Sequence, residues 1–277
     1  MGGMGKLTKW FRPRPSVTVI RLEGVIGGTT RFGLPPLTDA GLAPLIEAAF
    51  RRGRPKAVAL VVNSPGGSPA QSSLIAARIR RLADEKKIPV LAFCEDVAAS
   101  GGYWLASAAD EIWIDRSTII GSIGVIHASF GLHDFITRHG VERRVHTAGE
   151  NKSLLDPFRP ERAEDVARLK RIQAEVHRNF IAHVRGRRGA RLRGDDLFTG
   201  EIWVGEEAVA NGIADGIGHL VPKMKERFGA RVRFRLLQPR RPLLRRFGLP
   251  GTGDIVAELL ARLEDRAHWS RFGIGGG

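Results

Sequence analysis

The chain has 277 residues, 43% of them apolar, which is enough to bury the core of one full domain. Its single cysteine, Cys94, excludes an intrachain disulfide framework and a cysteine-rich zinc site, and on an apolar strand it is expected to be a small buried hydrophobe. Lysine and arginine number 44 against 29 aspartates and glutamates, a net charge of +15. This excess favours anionic partners without choosing among nucleic acid, acidic peptides and membrane surfaces, and it also fits an ordinary solvated surface.

The chain shows no convincing targeting signal. Its first 14 residues carry four basic side chains but lack the apolar stretch of ~7–15 residues that a signal peptide needs. Nothing further along approaches the ~20 apolar residues of a membrane-spanning helix. The sequence therefore predicts a cytoplasmic protein without a membrane anchor.

Strand and helix patterns alternate through the first half of the chain. The β-branched run at residues 17–22 predicts a strand, and apolar residues at helical spacing then predict a helix over residues 37–50. The cycle continues with strands predicted at residues 57–62, 90–94 and 111–114 and with helices at residues 70–83 and 101–107. Alternation of this kind predicts an α/β fold with parallel strands and crossover helices.

The second half of the chain predicts a more varied set of elements. They are a strand at residues 121–127, a helix at 130–140, an extended segment at 143–147, a long amphipathic helix at 160–185 and a helix-containing return at 200–218. Apolar residues recur at helical spacing along the long helix, at Val166, Leu169, Ile172, Val176, Phe180 and Val184. This stripe is expected to pack against the core or against another subunit.

The end of the chain changes in composition, so three regions are predicted. They are a basic N-terminal segment (residues 1–16), a main domain (17–220), and a basic arm with a terminal helix (221–277). Arginine and proline mark residues 231–246, which predicts an arm rather than a core element. The helix expected from about residue 254 has an apolar face, which either packs on the body or a neighbouring subunit or docks on an anionic bilayer.

The chemistry of the chain centres on Ser100, which follows an apolar strand and begins a predicted helix. A serine there either caps the helix or acts as a nucleophile, for which it needs a base. Lys152 enters an apolar run after a flexible glycine, where burial would favour its uncharged form and make it a usable base. None of the eight histidines has an equally suitable setting. The paired Gly66 and Gly67 suit backbone amides that face a ligand.

Four motifs occur in the same order as in a known family. They are NSPGG at residues 63–67, ASGGYW at 99–104, IGSIGV at 120–125 and GENKS at 149–153. Together they resemble the signal peptide peptidase A, or protease IV, family of Ser-Lys peptidases. Ser100 precedes Lys152 by 52 positions and follows Gly67 by 33, which is similar to the short, single-repeat members of that family. The resemblance covers residues 17–217.

The resemblance implies a role for five residues. Ser100 would be the acylating nucleophile, Lys152 the general base and then the general acid, and Ser122 the hydroxyl that orients the lysine. The backbone amides of Gly67 and Gly101 would form the oxyanion hole. Three of these residues have plainer alternatives, since Ser100 could cap the helix and Gly67 and Ser122 could belong to ordinary turns.

The resemblance also implies a ClpP/crotonase-like fold of stacked ββα units. It implies a homo-oligomer in which one subunit supplies the serine of a site and another the lysine. The implied function is a serine endopeptidase that hydrolyses peptides, either signal-peptide remnants or other apolar peptides, through an acyl-enzyme. Many members carry an N-terminal membrane anchor. Because this chain shows none, it either reaches the inner face of the cell membrane through its basic arm and terminal helix or acts on other peptides in the cytoplasm.

Other functions are open alternatives. The main one is a non-hydrolytic scaffold of the same fold that binds peptides or acyl groups without cleaving them. A crotonase-like acyl-CoA enzyme would normally use glutamates as acid and base and would not need Ser100 and Lys152 at this spacing. Specific nucleic-acid binding has only the charge in its favour, without a recognised motif. No metal or cofactor is expected, because no histidine pair and no glycine loop has a convincing ligand setting.

Overall fold

One β-sheet, almost entirely parallel, lies at the centre of the part of the protein that the computed structural model describes, which is residues 14–28, 36–149, 151–194, 196–238, 266 and 268–273. The strands in these residues are β1 (Ser16–Glu23), β2 (Ala57–Ser64), β3 (Val90–Ala99), β4 (Glu111–Ile114), β5 (Ile119–Gly121), β6 (Ile202–Val204), β7 (Gly216–Ile217) and β8 (Arg233–Leu237). The helices are α1 (Asp39–Arg51), α2 (Pro69–Lys86), α3 (Gly101–Ser107), α4 (His133–Arg138), α5 (Ala163–Arg188), α6 (Gly205–Ala210) and α7 (Leu220–Phe228), and a 3-10 turn (Gly189–Arg191) follows α5.

The sheet branches at its longest strand, β3. Its order is β6-β5-β3-β2-β1-β8, while β4 pairs with β3 on a second branch and β7 pairs with β4. The first half of β3 pairs with β4, and its end pairs with β5, where Ala99 lies opposite Gly121. All of these pairs are parallel except β5 with β6. The predicted α/β class with parallel strands and crossover helices is confirmed.

Helices cover both faces of the sheet. Strand β2 is buried along almost its whole length, a pattern typical of parallel strands with both faces covered. On one face Leu60 belongs to a core that includes residues of α1, α2, α3 and α5. On the other face Val61 belongs to a core with Met224 of α7. Cys94 is a free, buried thiol of the first core, as predicted, and burial raises its pKa to about 12.

Local sequence signals explain how the helices near the first loops begin. The Ser68 hydroxyl accepts a hydrogen bond from the Gln71 amide (3.4 Å) at the start of α2. Pro69 occupies the first position of that helix, where its missing amide costs nothing. Strand β3 continues five residues beyond the predicted strand and ends at Ala99. Ser100 is then the single residue between β3 and α3.

Part of the second half of the chain differs from the sequence predictions. The strand predicted at residues 121–127 is instead β5, which ends at Gly121. Gly121 and Ser122 have φ values of 110° and 51°, and two successive left-handed residues cannot continue a strand. Helix α4 is shorter than the predicted 130–140, and residues 143–147 form no regular element. The long helix is confirmed as α5.

The predicted basic arm is wrong over residues 233–237, because these residues form the edge strand β8 beside β1. Arg233 and Arg235 are exposed on this strand. Phe234 and Leu237 pack against the two cores. Charged side chains are common on edge strands because they discourage pairing with other chains. Arg233 and Arg235 are therefore exposed residues of a sheet edge, whereas the arginines of the predicted arm from residue 240 onward lie outside the described residues.

Most of the predicted terminal regions lie outside the described residues, including nearly all of the basic N-terminal segment and of the helix expected from residue 254. Residues 268–270 are helical, and Trp269 is buried against Val97 and Ala99 of β3. The described end of the chain thus packs on the strand that leads to Ser100. No helix in the described part of the chain is long and apolar enough to cross a membrane.

Candidate active site

The loops that follow β2, β3 and β5 meet at one edge of the sheet. Gly66 and Gly67 follow β2, Ser100 follows β3, and Ser122 follows β5. Because the last residues of β3 and β5 are paired in parallel, Ser100 and Ser122 leave the sheet side by side. The carboxyl ends of parallel strands are the usual position of ligand sites in α/β sheets. The structure thus brings the two predicted serines and the glycine loop to one place.

Ser100 occupies a strained turn between β3 and α3. Its φ is 52° and its ψ −120°, a conformation that residues other than glycine rarely adopt. Its amide donates to the Gly121 carbonyl (2.8 Å), and its carbonyl accepts from the Trp104 amide (3.0 Å). Its half-buried side chain makes no capping hydrogen bond with α3. The helix-cap alternative therefore fails, and the hydroxyl is free of that role.

The helix that begins after Ser100 is buried along its whole length. Its first amides have no partner within the helix, and the helix dipole places partial positive charge at this end. Close packing requires glycine here: a Cβ at Gly101 would lie 2.5 Å from Ser72 Oγ, and one at Gly102 would lie 2.4 Å from the Ser64 carbonyl oxygen. The Gly101 amide thus lies at the positive end of a buried helix, adjacent in sequence to the serine.

The glycine loop after β2 is hydrogen-bonded to the loop after β1. The Ile26 amide donates to the Gly66 carbonyl and the Ser68 amide to the Ile26 carbonyl, both at 2.8 Å. In this parallel bridge the neighbours of Gly67 make the bonds, so its own amide points away from Ile26. A Cβ at Gly67 would lie 2.1 Å from the Ile26 carbonyl oxygen, and one at Gly66 would lie 2.8 Å from the Ser100 Cβ. The loop therefore lies directly against the serine.

Two polar side chains brace this loop. The Ser64 hydroxyl donates to the Gly24 carbonyl (2.7 Å) and accepts from the Gly66 amide (3.2 Å). The Asn63 amide group donates to the Asp96 carboxylate (2.9 Å). Both side chains thus fix the shape of the loop rather than face its open side.

Ser122 is held in a second strained turn, with a φ of 51°. Its amide donates to the Glu201 carbonyl (2.7 Å), and its carbonyl accepts from the Gly124 amide (2.9 Å). The residue is half-buried. Two serines with left-handed backbones therefore stand at the ends of neighbouring strands, an arrangement whose conformational cost is typical of functional sites.

Lys152 is exposed, in a turn where its amide donates to the Gly149 carbonyl (3.2 Å). Within the described part of the chain, no hydrogen bond joins its amine to Ser100 or Ser122. The burial that would favour an uncharged lysine is therefore not supplied by a single copy of the chain.

The sequence on both sides of Lys152 contributes an exposed apolar surface. It consists of Ile126, Phe130, Phe135 and Val141 before the lysine and Ile172 on α5, which are between 55 and 85% exposed. Of the predicted stripe on the long helix, Phe180 and Val184 are buried in the core, whereas Ile172 is not. The stripe is thus divided between the core and a surface that the described part of one copy leaves exposed.

Both histidines of α5 support the site, although the sequence analysis did not single them out. His183 Nε2 lies 3.2 Å from the Trp104 carbonyl oxygen and 3.1 Å from Ser107 Oγ, both on α3. Burial lowers the pKa of His183 to about 4, so its imidazole is neutral at pH 7. His177 Nε2 lies 3.0 Å from the Ile123 carbonyl oxygen. The signal that could have identified them is their position in the helical repeat. It places both histidines beside Phe180 and Val184, the buried end of the apolar stripe.

In the described part of the chain, no group of three or more acidic, histidine or cysteine side chains could hold a metal ion.

Comparisons with known proteins point to one family of peptidases. A sequence model of peptidase family S49 matches residues 83–227, just over half of the chain, and this match includes Ser100, Ser122 and Lys152. "Serine protease SPPA, chloroplastic" of Arabidopsis thaliana is 31% identical over 218 residues, which are 75% of this chain and 31% of that protein. "Protease 4" of Haemophilus influenzae is 34% identical over 209 residues, which are 73% of this chain and 32% of that protein.

A more similar relative carries a different name. "Na(+)/H(+) antiporter NhaA" of Brucella melitensis is 47% identical over 275 residues, which are 93% of this chain and 37% of that protein. The chain thus spans about a third of the length of these curated relatives. The solved structure of a membrane-bound stomatin-specific protease with a substrate peptide aligns with 90% of this chain and 98% of its own, at 16% identity and a TM-score of 0.46.

Proposed function

Because the chain belongs to peptidase family S49, we propose that it is a serine endopeptidase with Ser100 as nucleophile and Lys152 as base. The observation that carries this proposal is the turn at Ser100. A non-glycine residue with a φ of 52° begins a buried helix, and its side chain does not cap that helix. Such strain is retained where it presents a reactive group. The adjacent glycine loop supports the same conclusion, since it lies against Ser100 and the Gly67 amide points away from Ile26.

The proposed reaction has two stages. Lys152 accepts the proton of the Ser100 hydroxyl as its oxygen attacks the peptide carbonyl carbon, and the amides of Gly67 and Gly101 donate to the resulting oxyanion. Lys152 then returns the proton to the leaving amine, which gives an acyl-enzyme and frees one peptide fragment. In the second stage Lys152 takes a proton from water as the water oxygen attacks the acyl carbon, and it returns this proton to the Ser100 oxygen as the second fragment leaves as a carboxylic acid. Ser122 orients the lysine throughout.

We further propose that two copies of the chain complete each site. In the described part of one copy, Lys152 is exposed and makes no hydrogen bond to Ser100, and the exposed apolar surface is left uncovered. Both features are accounted for if Lys152 of the partner subunit reaches Ser100 while the apolar surface packs on a neighbour. Repetition of this contact around an axis would close a ring, the common outcome for identical subunits.

The proposed substrates are peptides with an apolar or small residue before the scissile bond, such as signal-peptide remnants. This preference comes from the family resemblance. The net charge of +15 supports a cytoplasmic location with peripheral contact to the anionic inner face of the cell membrane.

The test is hydrolysis of an apolar peptide library by the purified assembly, read by mass spectrometry. Wild type is compared with Ser100→Ala, Lys152→Ala and, as a matched control, Lys170→Ala, which removes an exposed lysine of α5. We expect cleavage by wild type and Lys170→Ala and none by the other two variants. Equal cleavage by all four proteins would come from a contaminant and would refute the assignment.

One observation favours a second candidate, a non-hydrolytic scaffold that binds peptides. The exposed position of Lys152 leaves Ser100 without a base in a single copy. A correctly assembled wild-type protein that binds library peptides but releases no fragments would support this scaffold.

A further inference from the structure

Helix α5 contacts the nucleophile helix through polar side chains. His183 Nε2 lies within hydrogen-bond distance of the Trp104 carbonyl, and the Arg187 guanidinium donates to the Ser107 (3.3 Å) and Ala109 (3.1 Å) carbonyls. These carbonyls are at or just beyond the end of α3, where a helix leaves its last acceptors unsatisfied. The Trp104 ring also stacks on Phe180 of α5 at a centroid distance of 4.6 Å. Helix α3, and with it Ser100, is therefore fixed to α5.

The same helix also reaches the Ser122 turn. His177 Nε2 lies 3.0 Å from the Ile123 carbonyl oxygen, and a carbonyl can only accept, so the imidazole donates. Ile123 is fully buried, and a buried carbonyl that loses its donor is costly. On its other side this turn is held by the bond from the Ser122 amide to the Glu201 carbonyl (2.7 Å). The left-handed turn at Ser122 is thus fixed from two directions, one of them α5.

We propose that His177 is a positioning residue that sets the place of the Ser122 hydroxyl relative to Ser100, an inference that rests on the proposed function. His177 and His183 are six residues apart on one rigid helix, which corresponds to about 9 Å along its axis. One contact holds the turn that contains Ser122, and the other holds the helix that begins after Ser100. Because α5 contacts both elements, it fixes the distance between the two serines. Loss of either contact would allow that distance to change.

The test is a double-mutant cycle between His177 and Ser122. His177→Ala removes the donor, and His177→Gln keeps a side-chain N–H that can reach the same carbonyl. Arg171→Ala, an exposed change on α5, is the control. We expect His177→Ala to lower kcat at least about tenfold with little change in KM, and His177→Gln to recover most of the loss. In a Ser122→Ala background His177→Ala should have less than about a twofold effect, because residues that act as a unit are not additive.

Two results would overturn the inference while leaving Ser100 and Lys152 in their roles. One is an equal loss from His177→Ala with and without the Ser122 hydroxyl, which would mean that His177 acts elsewhere. The other is an unchanged kcat in Ser122→Ala itself. A peptidase that keeps full activity in Ser100→Ala would instead refute the proposed function.

A second measurement tests the contact without any need for turnover. Amide hydrogen exchange over residues 121–126, followed by mass spectrometry, should speed up in His177→Ala and remain near wild type in His177→Gln and Arg171→Ala. Exchange in this segment that is unaffected by His177→Ala would overturn the inference, whether or not the protein cleaves peptides.

Discussion

Two glycines at the site are constrained by different kinds of neighbour. A Cβ at Gly67 would lie 2.1 Å from the Ile26 carbonyl oxygen, which belongs to a hydrogen-bonded loop and cannot move aside. A Cβ at Gly101 would meet Ser72 Oγ at 2.5 Å, an atom that a substitution can remove. The φ of Gly101 lies outside the left-handed region, so an alanine could adopt the same backbone conformation. The obstacle to an alanine at this position is therefore the steric clash with Ser72. The two positions can therefore be separated by experiment.

We predict that Gly101→Ala lowers kcat by about tenfold or more, because the added methyl displaces the proposed oxyanion donor. Adding Ser72→Ala to that variant should restore much of the lost activity, since it removes the clashing oxygen. Steady-state kinetics, with thermal unfolding to check the fold, measure both effects. Gly67→Ala is the control, because Ser72→Ala should not rescue it. If Ser72→Ala also fails to rescue Gly101→Ala, the contact with Ser72 is not the cause.

The packing of α5 against α3 includes a buried histidine, His183, which is neutral at pH 7. His183 stacks on Trp104 at a centroid distance of 5.2 Å and shares hydrogen bonds with α3. Burial lowers its pKa from 6.5 to about 4, so the folded protein resists protonation that the unfolded chain accepts. Between these pH values the unfolded state binds more protons, and stability therefore rises with pH. The contribution is complete above pH 6.5 and is lost as the pH falls towards 4.

We predict that the free energy of unfolding decreases between pH 6.5 and pH 4 by at most about 3 kcal/mol through His183. His183→Gln, which does not titrate, should flatten this part of the pH profile, measured by urea unfolding at each pH. His127→Gln, a change at an exposed histidine, is the control and should leave the slope unchanged. A slope as steep in His183→Gln as in wild type would contradict the prediction.

At the scale of the whole molecule, the sequence predicted what depends on local pattern. Strands β1 and β2 and helix α3 follow from apolar runs and a glycine-rich turn, and Ser100 was found because it joins a strand to a helix. Strand β8 was not predicted because its pairing with β1 is a long-range contact. Its arginines also made the local sequence resemble a basic arm rather than a strand. The contact between His177 and Ile123 spans 54 positions and leaves no local pattern. If Lys152 meets Ser100 of a neighbouring subunit, as we propose, neither sequence periodicity nor the described part of one copy can reveal the pair.

The exposed position of Lys152 allows a test with mixed assemblies. If Ser100 and Lys152 of different subunits form each site, two inactive variants can complement each other. When Ser100→Ala and Lys152→Ala subunits are unfolded together and reassembled at a 1:1 ratio, about a quarter of the sites should contain both native residues. Peptide hydrolysis should then recover to about that fraction of wild-type activity, whereas each variant reassembled alone stays inactive.

Wild type reassembled with the double variant Ser100→Ala/Lys152→Ala provides the matched control. Shared sites would again leave about a quarter of the activity, because a wild-type serine must meet a wild-type lysine, whereas sites within one chain would leave about half. A complementing mixture that remains inactive, together with half activity in the control, would show that a single copy closes its own site. The loop that carries Lys152 would then have to move towards Ser100, and the exposed apolar surface would need another explanation.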